Sequence, residues 1–135
     1  MRIQFALLLL LSVLCIDAVE DLRHTMFRNQ HVIGKMVVGD CTAKMNDPQK
    51  EINNNYCKRL NTFIVGAGQR IRTMCGSKIG TVTSPDTFNT IDCKLQQGSV
   101  YPNCVYLRGS AVTRRITVTC VNEYPVHYES FRMTS

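Results

Sequence analysis

The feature that most restricts the fold of this chain is its set of seven cysteines within 135 residues. Cys15 lies in an apolar run near the N-terminus, and the other six are spread along the rest of the chain: Cys41, Cys57, Cys75, Cys93, Cys104 and Cys120. No Cys-x-x-Cys or His-x-x-x-His spacing occurs, so a compact zinc site is not indicated. Six cysteines in an exported chain are typical of three disulfides, and the sequence alone leaves all 15 pairings open.

The N-terminal segment has the layout of a secretory signal peptide. Arg2 precedes an apolar run over residues 5–16, and the charged residues Glu20 and Asp21 follow shortly after Ala18. We therefore predict a signal peptide over residues 1–18, a single domain over residues 19–135, and secretion to the extracellular space. Cleavage after Ala18 would remove Cys15 and leave an even set of six. The apolar run is too short for a membrane-spanning helix.

The chain is basic, with 16 Lys and Arg against 10 Asp and Glu and a net charge of +6. Its 44% apolar content excludes a disordered polymer or a collagen-like chain. A positive balance attracts polyanions through long-range, salt-dependent forces. RNA, heparin-like glycans, an anionic cell surface and a bacterial membrane all fit that description, and a merely solvated surface fits it equally well.

Helical signals come first along the chain and strand signals follow. Residues 20–33 predict a helix, and Asp47 followed by Pro48 predicts the start of a second one running toward Asn53. Beyond Lys58 the β-branched content rises, and the sequence predicts strands over residues 61–65, 87–95, 105–107, 112–121 and 126–131. This order favours an α+β domain with an antiparallel sheet.

Few side chains are available for proton transfer near neutral pH, because the chain has three histidines: His24, His31 and His127. Two imidazoles and an ammonium are sufficient to cleave a phosphodiester without metal. One imidazole takes a proton from a hydroxyl, the other protonates the leaving oxygen, and the ammonium stabilises the phosphoryl charge. Lys58 is the candidate ammonium because its neighbour Cys57 would hold its backbone. The requirement for a neighbouring hydroxyl selects RNA over DNA.

Three sequence blocks resemble those of the pancreatic-type ribonucleases, the ribonuclease A superfamily, and most closely its angiogenin-type members. The blocks are Phe27-x-x-Gln30-His31, Cys57-Lys58-x-x-Asn61-Thr62-Phe63 and Pro125-Val126-His127-Tyr128, in the order of the family. The resemblance implies a V-shaped antiparallel sheet with three helices, and disulfides that join Cys41 to Cys93, Cys57 to Cys104 and Cys75 to Cys120.

The resemblance also implies roles for single residues. His31 would be the general base, His127 the general acid, and Lys58 would stabilise the transition state. The other implied substrate-binding residues are Gln30 and the Tyr128 backbone N–H on the phosphate, Thr62 on the base, Asp92 behind Thr62, and Asn61. The implied reaction cleaves RNA 3′ of pyrimidines through a 2′,3′-cyclic phosphate that is then hydrolysed, with no metal or cofactor.

Departures from the family pattern predict a low, angiogenin-like turnover. Val121 stands where many members have a glutamate, Met26 where the digestive enzyme has a lysine, and Glu129 where an aspartate is usual. The alternative function is that of a secreted angiogenic or antimicrobial host-defence protein that acts through its cationic surface, with the nuclease site accessory. A cytosolic ribonuclease inhibitor is a further expected partner, and we expect a monomer.

Overall fold

The structure is a computed structural model, and it describes residues 22–129. The predicted signal peptide over residues 1–18 lies outside the described residues and stays a prediction. Helix α1 covers residues 22–31 of the described part. Its buried positions, His24, Phe27 and His31, are three and four residues apart, which places them on one helical face. That face packs on the rest of the domain and carries His31 inward.

Two short helices and seven strands complete the described part. The helices are α2 (Cys41–Met45) and α3 (Gly68–Thr73), and 3-10 turns cover Val38–Asp40 and Pro48–Lys50. The strands are β1 (Val32–Ile33), β2 (Leu60–Val65), β3 (Gly80–Thr83), β4 (Phe88–Lys94), β5 (Ser110–Arg114), β6 (Thr117–Val121) and β7 (Tyr124–Tyr128).

The strands form two sheets, one of four strands in the order β1-β2-β4-β5 and one of three in the order β3-β6-β7. All pairings are antiparallel except the two-residue pair of β1 with β2, which is parallel. Thr62 of β2 lies opposite Asp92 of β4, and Thr119 of β6 lies opposite His127 of β7. The two sheets therefore carry different candidate site residues.

The buried side chains form two clusters, and disulfides lie in both. The four-stranded sheet packs around Phe63, Met45 and Ile91, with the disulfides Cys41–Cys93 and Cys57–Cys104. The three-stranded sheet packs around Phe27, Ile71 and Val118, with the disulfide Cys75–Cys120. This is the pairing that the family resemblance implies. Each crosslink closes a loop of some 45 to 52 residues, which adds roughly 3–4 kcal/mol in the chain-entropy model.

The prediction of one strand over residues 112–121 was wrong. The segment divides into β5 and β6, which belong to different sheets. Ser84 holds the break, because its backbone N–H donates to the Ile116 carbonyl at 2.8 Å and its Oγ accepts from the Ile116 N–H at 3.0 Å. These bonds occupy the Ile116 backbone groups and end the ladder with β4. Alternation along the sequence could not reveal a partner 32 residues away.

Other boundaries also differ from the prediction. Helix α1 ends at His31 because Val32 and Ile33 pair with β2. The segment after Asp47 forms only a 3-10 turn, which ends where Glu51 adopts a positive φ of 54°. Residues 105–107 form no strand, and Tyr106 makes a single bridge to Leu95. The prediction missed α2, α3 and β3.

Candidate active site

His31 reaches the site from the last residue of α1. Its Nδ1 lies 2.9 Å from the carbonyl oxygen of Thr62. Because a carbonyl oxygen only accepts, Nδ1 carries the hydrogen, and Nε2 of the neutral ring keeps a lone pair. The pKa of His31 is lowered from 6.5 to about 4, chiefly by burial; the Thr62 hydrogen bond opposes the shift, and the charges of Lys58 and His127 add to it. The ring is therefore uncharged at neutral pH, with the Nε2 lone pair available to accept a proton.

Lys58 lies just before β2 and is fixed by three neighbours. Its Nζ donates to Oδ1 of Asn61 at 2.8 Å, and its backbone N–H donates to Oδ1 of Asn53 at 2.9 Å. Cys57, the residue before it, is crosslinked to Cys104. Burial lowers the pKa of Lys58. The result is a partly desolvated ammonium with a fixed direction, which interacts with nearby charge more strongly than a solvated one.

Asn61 connects the lysine to the helix that carries His31. Its Oδ1 accepts from Lys58, and its Nδ2 donates to the carbonyl of Gln30 at 3.0 Å. Asn61 is 2% exposed, so both bonds are shielded from water. The sequence predicted this residue as a substrate contact, whereas the structure gives it bonds to two neighbours of the site.

His127 reaches the same cavity from β7 in the other sheet. The cavity has a volume of about 300 Å³ and is lined by Gln30, His31, Lys58, Leu60, Asn61, Thr62, His127 and Tyr128. Glu129, which stands two residues after His127 where an aspartate is usual in the family, accepts from the Thr119 hydroxyl at 2.8 Å. Within residues 22–129 the His127 ring has no hydrogen bond, and it is exposed.

A polar chain lies behind one wall of the cavity. The Thr62 hydroxyl donates to Oδ1 of Asp92 at 2.7 Å, and Oδ2 of Asp92 forms an ion pair with Arg114. Burial raises the pKa of the Tyr128 hydroxyl, and hydrogen bonds with Thr62 and Arg114 oppose that shift. The Tyr128 ring stacks on His31, with ring centres 5.2 Å apart. Because the Thr62 hydroxyl donates its hydrogen bond to Asp92, its oxygen can only accept from any further partner.

Gln30, predicted to bind the phosphate, makes a hydrogen bond within the protein. Its Nε2 donates to the carbonyl of Glu51 at 2.9 Å while the side chain still lines the cavity. An amide nitrogen has two hydrogens, so one N–H is left for a ligand. Across residues 22–129, no three His, Cys, Asp or Glu side chains come together as a metal site would require.

Sequence reasoning missed two residues near the site. Arg114 had no predicted role, and the structure pairs it with Asp92. His24 was noted as an available histidine without a role, and it is buried against β7. The burial of His24 could have been predicted from the spacing of His24, Phe27 and His31 on one helical face. Nothing in the sequence indicated the pairing of Arg114.

A model of the family described as pancreatic ribonuclease matches residues 22–129. The chain belongs to the pancreatic ribonuclease family. It is 36% identical over 118 residues to Ribonuclease-like 3 of Danio rerio, covering 79% of this chain and 77% of that one. It is also 37% identical over 137 residues to Angiogenin of Sus scrofa, covering 97% and 92%.

Solved structures of the family are similar as well. The structure of zebrafish RNase5 superposes with a TM-score of 0.72 at 38% identity, covering 82% of this chain and 94% of that one. RNASE ZF-1A superposes with a TM-score of 0.74 at 33% identity, covering 87% and 96%. The predictions of the α+β ribonuclease A-like fold, of the family and of an endoribonuclease are thereby confirmed.

Proposed function

We propose that this pancreatic-type ribonuclease cleaves single-stranded RNA on the 3′ side of pyrimidines, without a metal. The observation that carries the proposal is that His31, Lys58 and His127 line one cavity although they come from α1, the segment before β2, and β7. Two imidazoles and a partly desolvated ammonium are the groups that this reaction needs.

The reaction runs in two steps. In the first, Nε2 of neutral His31 takes the proton of the ribose 2′-hydroxyl, which attacks the adjacent phosphorus while protonated His127 gives a proton to the leaving 5′-oxygen. In the second, His127 deprotonates water and His31 returns its proton to the 2′-oxygen, which opens the 2′,3′-cyclic phosphate. Lys58 stabilises the phosphoryl oxygens in both, while the second Gln30 N–H and the Tyr128 backbone N–H bind the phosphate.

Base selection depends on Thr62 and Asp92. A Thr62 backbone N–H and hydroxyl can pair with two atoms on the edge of a pyrimidine. Because the hydroxyl proton is donated to Asp92, the hydroxyl oxygen accepts from the base. Uracil offers an N3–H donor at that position, whereas cytosine offers an N3 acceptor. Uridine is therefore preferred over cytidine.

A low turnover is supported by the environment of His127. In this chain Glu129 bonds to Thr119 and leaves the imidazole without an orienting carboxylate among residues 22–129. A ring that samples several orientations meets the leaving oxygen less often. The three proposed catalytic groups are present, and the general acid, His127, has no hydrogen bond to orient its ring within residues 22–129.

The proposal also includes secretion and two binding partners, RNA and a ribonuclease inhibitor. Three disulfides are typical of proteins that fold in an oxidising compartment, and the N-terminal segment has a signal-peptide layout. Within residues 22–129 no helix has both the length and the apolar composition needed to cross a membrane. We expect a secreted monomer that binds RNA and a cytosolic ribonuclease inhibitor.

The decisive experiment compares purified wild-type protein with His127→Ala in an RNA gel assay that contains EDTA. We expect wild type to degrade poly(U), and His127→Ala to lose activity by about 10²–10⁴-fold, the usual contribution of a general acid. Lys58→Ala is the matched second variant, with an expected loss of about 10²-fold or more. Equal slow degradation by wild type and His127→Ala would show that the activity is a contaminant.

A second candidate function is angiogenic or antimicrobial action through the cationic surface. It is favoured by the similarity to proteins named Angiogenin, such as that of Mus musculus at 34% identity over 123 residues, and by the charge of +6. Bacterial killing or endothelial growth that is unchanged in the double variant His31→Ala/His127→Ala would support a function that does not need the nuclease. Loss of both activities together would refute that independence.

A further inference from the structure

The third histidine, His24, is as deeply buried as His31 and lies on the same face of α1. Each of the two is 8% exposed. Nδ1 of His24 lies 2.8 Å from the carbonyl oxygen of Pro125, in the strand that also carries His127. The carbonyl only accepts, so Nδ1 is the donor. The proposed mechanism gives this ring no role.

Helix α1 contacts strand β7 at two points. The His24 ring stacks on Tyr124 with centres 4.9 Å apart, and the His31 ring stacks on Tyr128 with centres 5.2 Å apart. Seven helical residues advance about 10 Å, and four strand residues advance about 13 Å. The helix and the strand therefore run side by side in the same direction. One of these contacts is made by His31, the candidate general base, and the other is made by His24.

The general base is bonded to one sheet, and the general acid is part of the other. His31 is bonded to Thr62 in the four-stranded sheet, and His127 is part of the three-stranded sheet. Within residues 22–129, the bond from His24 to Pro125 is the one hydrogen bond that joins α1 to β7. The separation of the two imidazoles thus depends on how the helix sits on that strand.

The choice of histidine at this position also needs a reason. Nε2 of His24 is buried with no hydrogen-bond partner in the described part of the chain. A phenylalanine would stack on Tyr124 without leaving a buried nitrogen unpaired, which costs free energy. What histidine adds over an apolar ring is the Nδ1–H donor.

We propose that His24 is a positioning residue for the ribonuclease reaction. Its hydrogen bond to Pro125 holds α1 in register on β7 and so sets the distance between the imidazoles of His31 and His127. This inference rests on the proposed function, because it concerns the geometry of that reaction.

Three substitutions separate the hydrogen bond from the stacking. His24→Asn keeps an N–H donor on the atom bonded to Cγ, where Nδ1 stands. His24→Gln moves that donor one bond farther out, and His24→Phe keeps a ring and removes the donor. Thr25→Ala, at an exposed position of the same helix, is the control. The kcat and KM of each are measured with the dinucleotide UpA, below the melting temperature that circular dichroism gives for each variant.

We expect the kcat of His24→Phe and His24→Gln to fall about tenfold, because small misplacements of catalytic groups have effects of this size. Their KM should stay near the wild-type value, since Thr62 lies on β2, and His24→Asn and Thr25→Ala should keep the wild-type kcat. Wild-type kcat in the Phe and Gln variants, with only a lower melting temperature, would overturn the inference. A loss in His24→Asn equal to that in the other two would overturn it too, because a donor at the place of Nδ1 would then not preserve the geometry.

The outcome is separable from that of the proposed function. If wild type cleaves UpA and His127→Ala does not, the proposed function holds and the His24 variants decide this inference alone. If wild type does not cleave UpA, the proposed function fails and this inference fails with it.

Discussion

At the residue scale, the protonation of His31 is set by its surroundings more than by its type. Burial is the main cause that brings its pKa down to about 4, because a charged ring would lose most of its hydration there. The donor on Nδ1 and the lone pair on Nε2 are fixed by the Thr62 carbonyl. The proposed general base is therefore already deprotonated at neutral pH.

The first prediction concerns the acid limb of the pH profile. A base must be neutral to act, and a lowered pKa keeps it neutral to lower pH, so kcat/KM for UpA should fall only below pH 6.5, with its midpoint displaced toward 4. Lys58→Met removes one of the charges that lower the pKa of His31, so its residual activity should show an acid limb at higher pH than wild type. An acid limb centred at or above 6.5 in wild type would contradict the assignment.

The second prediction concerns Asp92. In Asp92→Ala the Thr62 hydroxyl is free to donate as well as accept, so the preference for UpA over CpA should fall by about tenfold, the value of one hydrogen bond. Asp92→Asn is the matched control, because its amide oxygen can still accept from Thr62 and should preserve much of the preference. Ratios of kcat/KM for the two dinucleotides give the answer, and an unchanged ratio in Asp92→Ala would exclude this role.

At the element scale, the segment from β4 to β6 shows how far alternation can predict strands. Residues 61–65 and 87–95 were predicted nearly at their observed bounds, because both strands are internal and carry β-branched or aromatic residues. The run over residues 112–121 has equally good alternation, yet Ser84 divides it between two sheets. The local pattern predicts that the segment is extended. Which sheet each part joins depends on a hydrogen-bond partner far away in the sequence.

The third prediction concerns Gly109, at the start of the segment that leads into β5. A Cβ there would lie 2.7 Å from Cγ2 of Ile91 and 2.9 Å from Sγ of Cys41, and the Gly109 N–H donates to the Val38 carbonyl at 2.7 Å. These neighbours include a disulfide and a sheet residue, which cannot move freely. We expect Gly109→Ala to lower the free energy of unfolding by about 1–3 kcal/mol, as measured by urea denaturation.

Gly39 provides the matched control for that substitution. It has no heavy atom within 4 Å of a built Cβ and no positive φ. Gly39→Ala should therefore leave the urea midpoint close to that of wild type. Equal midpoints for the two alanine variants would show that the Gly109 contacts can relax.

At the scale of the whole molecule, the relevant features are the net positive charge and the three disulfides. The net charge of +6 is distributed around a domain whose two cores are each crosslinked. Arg114, however, is paired with Asp92, so not every cation is available for RNA. The free cations attract a polyanion at long range, and Lys58 is separated from them by its burial in the cavity.

The fourth prediction concerns salt. Binding of a long RNA displaces counterions from several phosphates, so kcat/KM for poly(U) should fall steeply with NaCl concentration on logarithmic axes. UpA has one phosphate and displaces few counterions, so its kcat/KM should depend on salt much less. Steady-state rates from low to physiological salt measure both slopes. Equal slopes would mean that the surface cations do not contact RNA beyond the cleavage site.

The sequence was enough to identify the family, and with it the α+β fold class and an endoribonuclease. Its resemblance to the family rests on the short blocks around His31, Lys58 and His127 and on six cysteines in family order, all of which can be read locally along the chain. Only the tertiary structure shows the burial that lowers the pKa of His31, the placement of the two imidazoles on a helix and on a strand, and the contacts of Asp92 with Arg114 and of His24 with Pro125. The physical reason is that burial and hydrogen bonding depend on residues 22 to 101 positions away, and local sequence does not encode such neighbours.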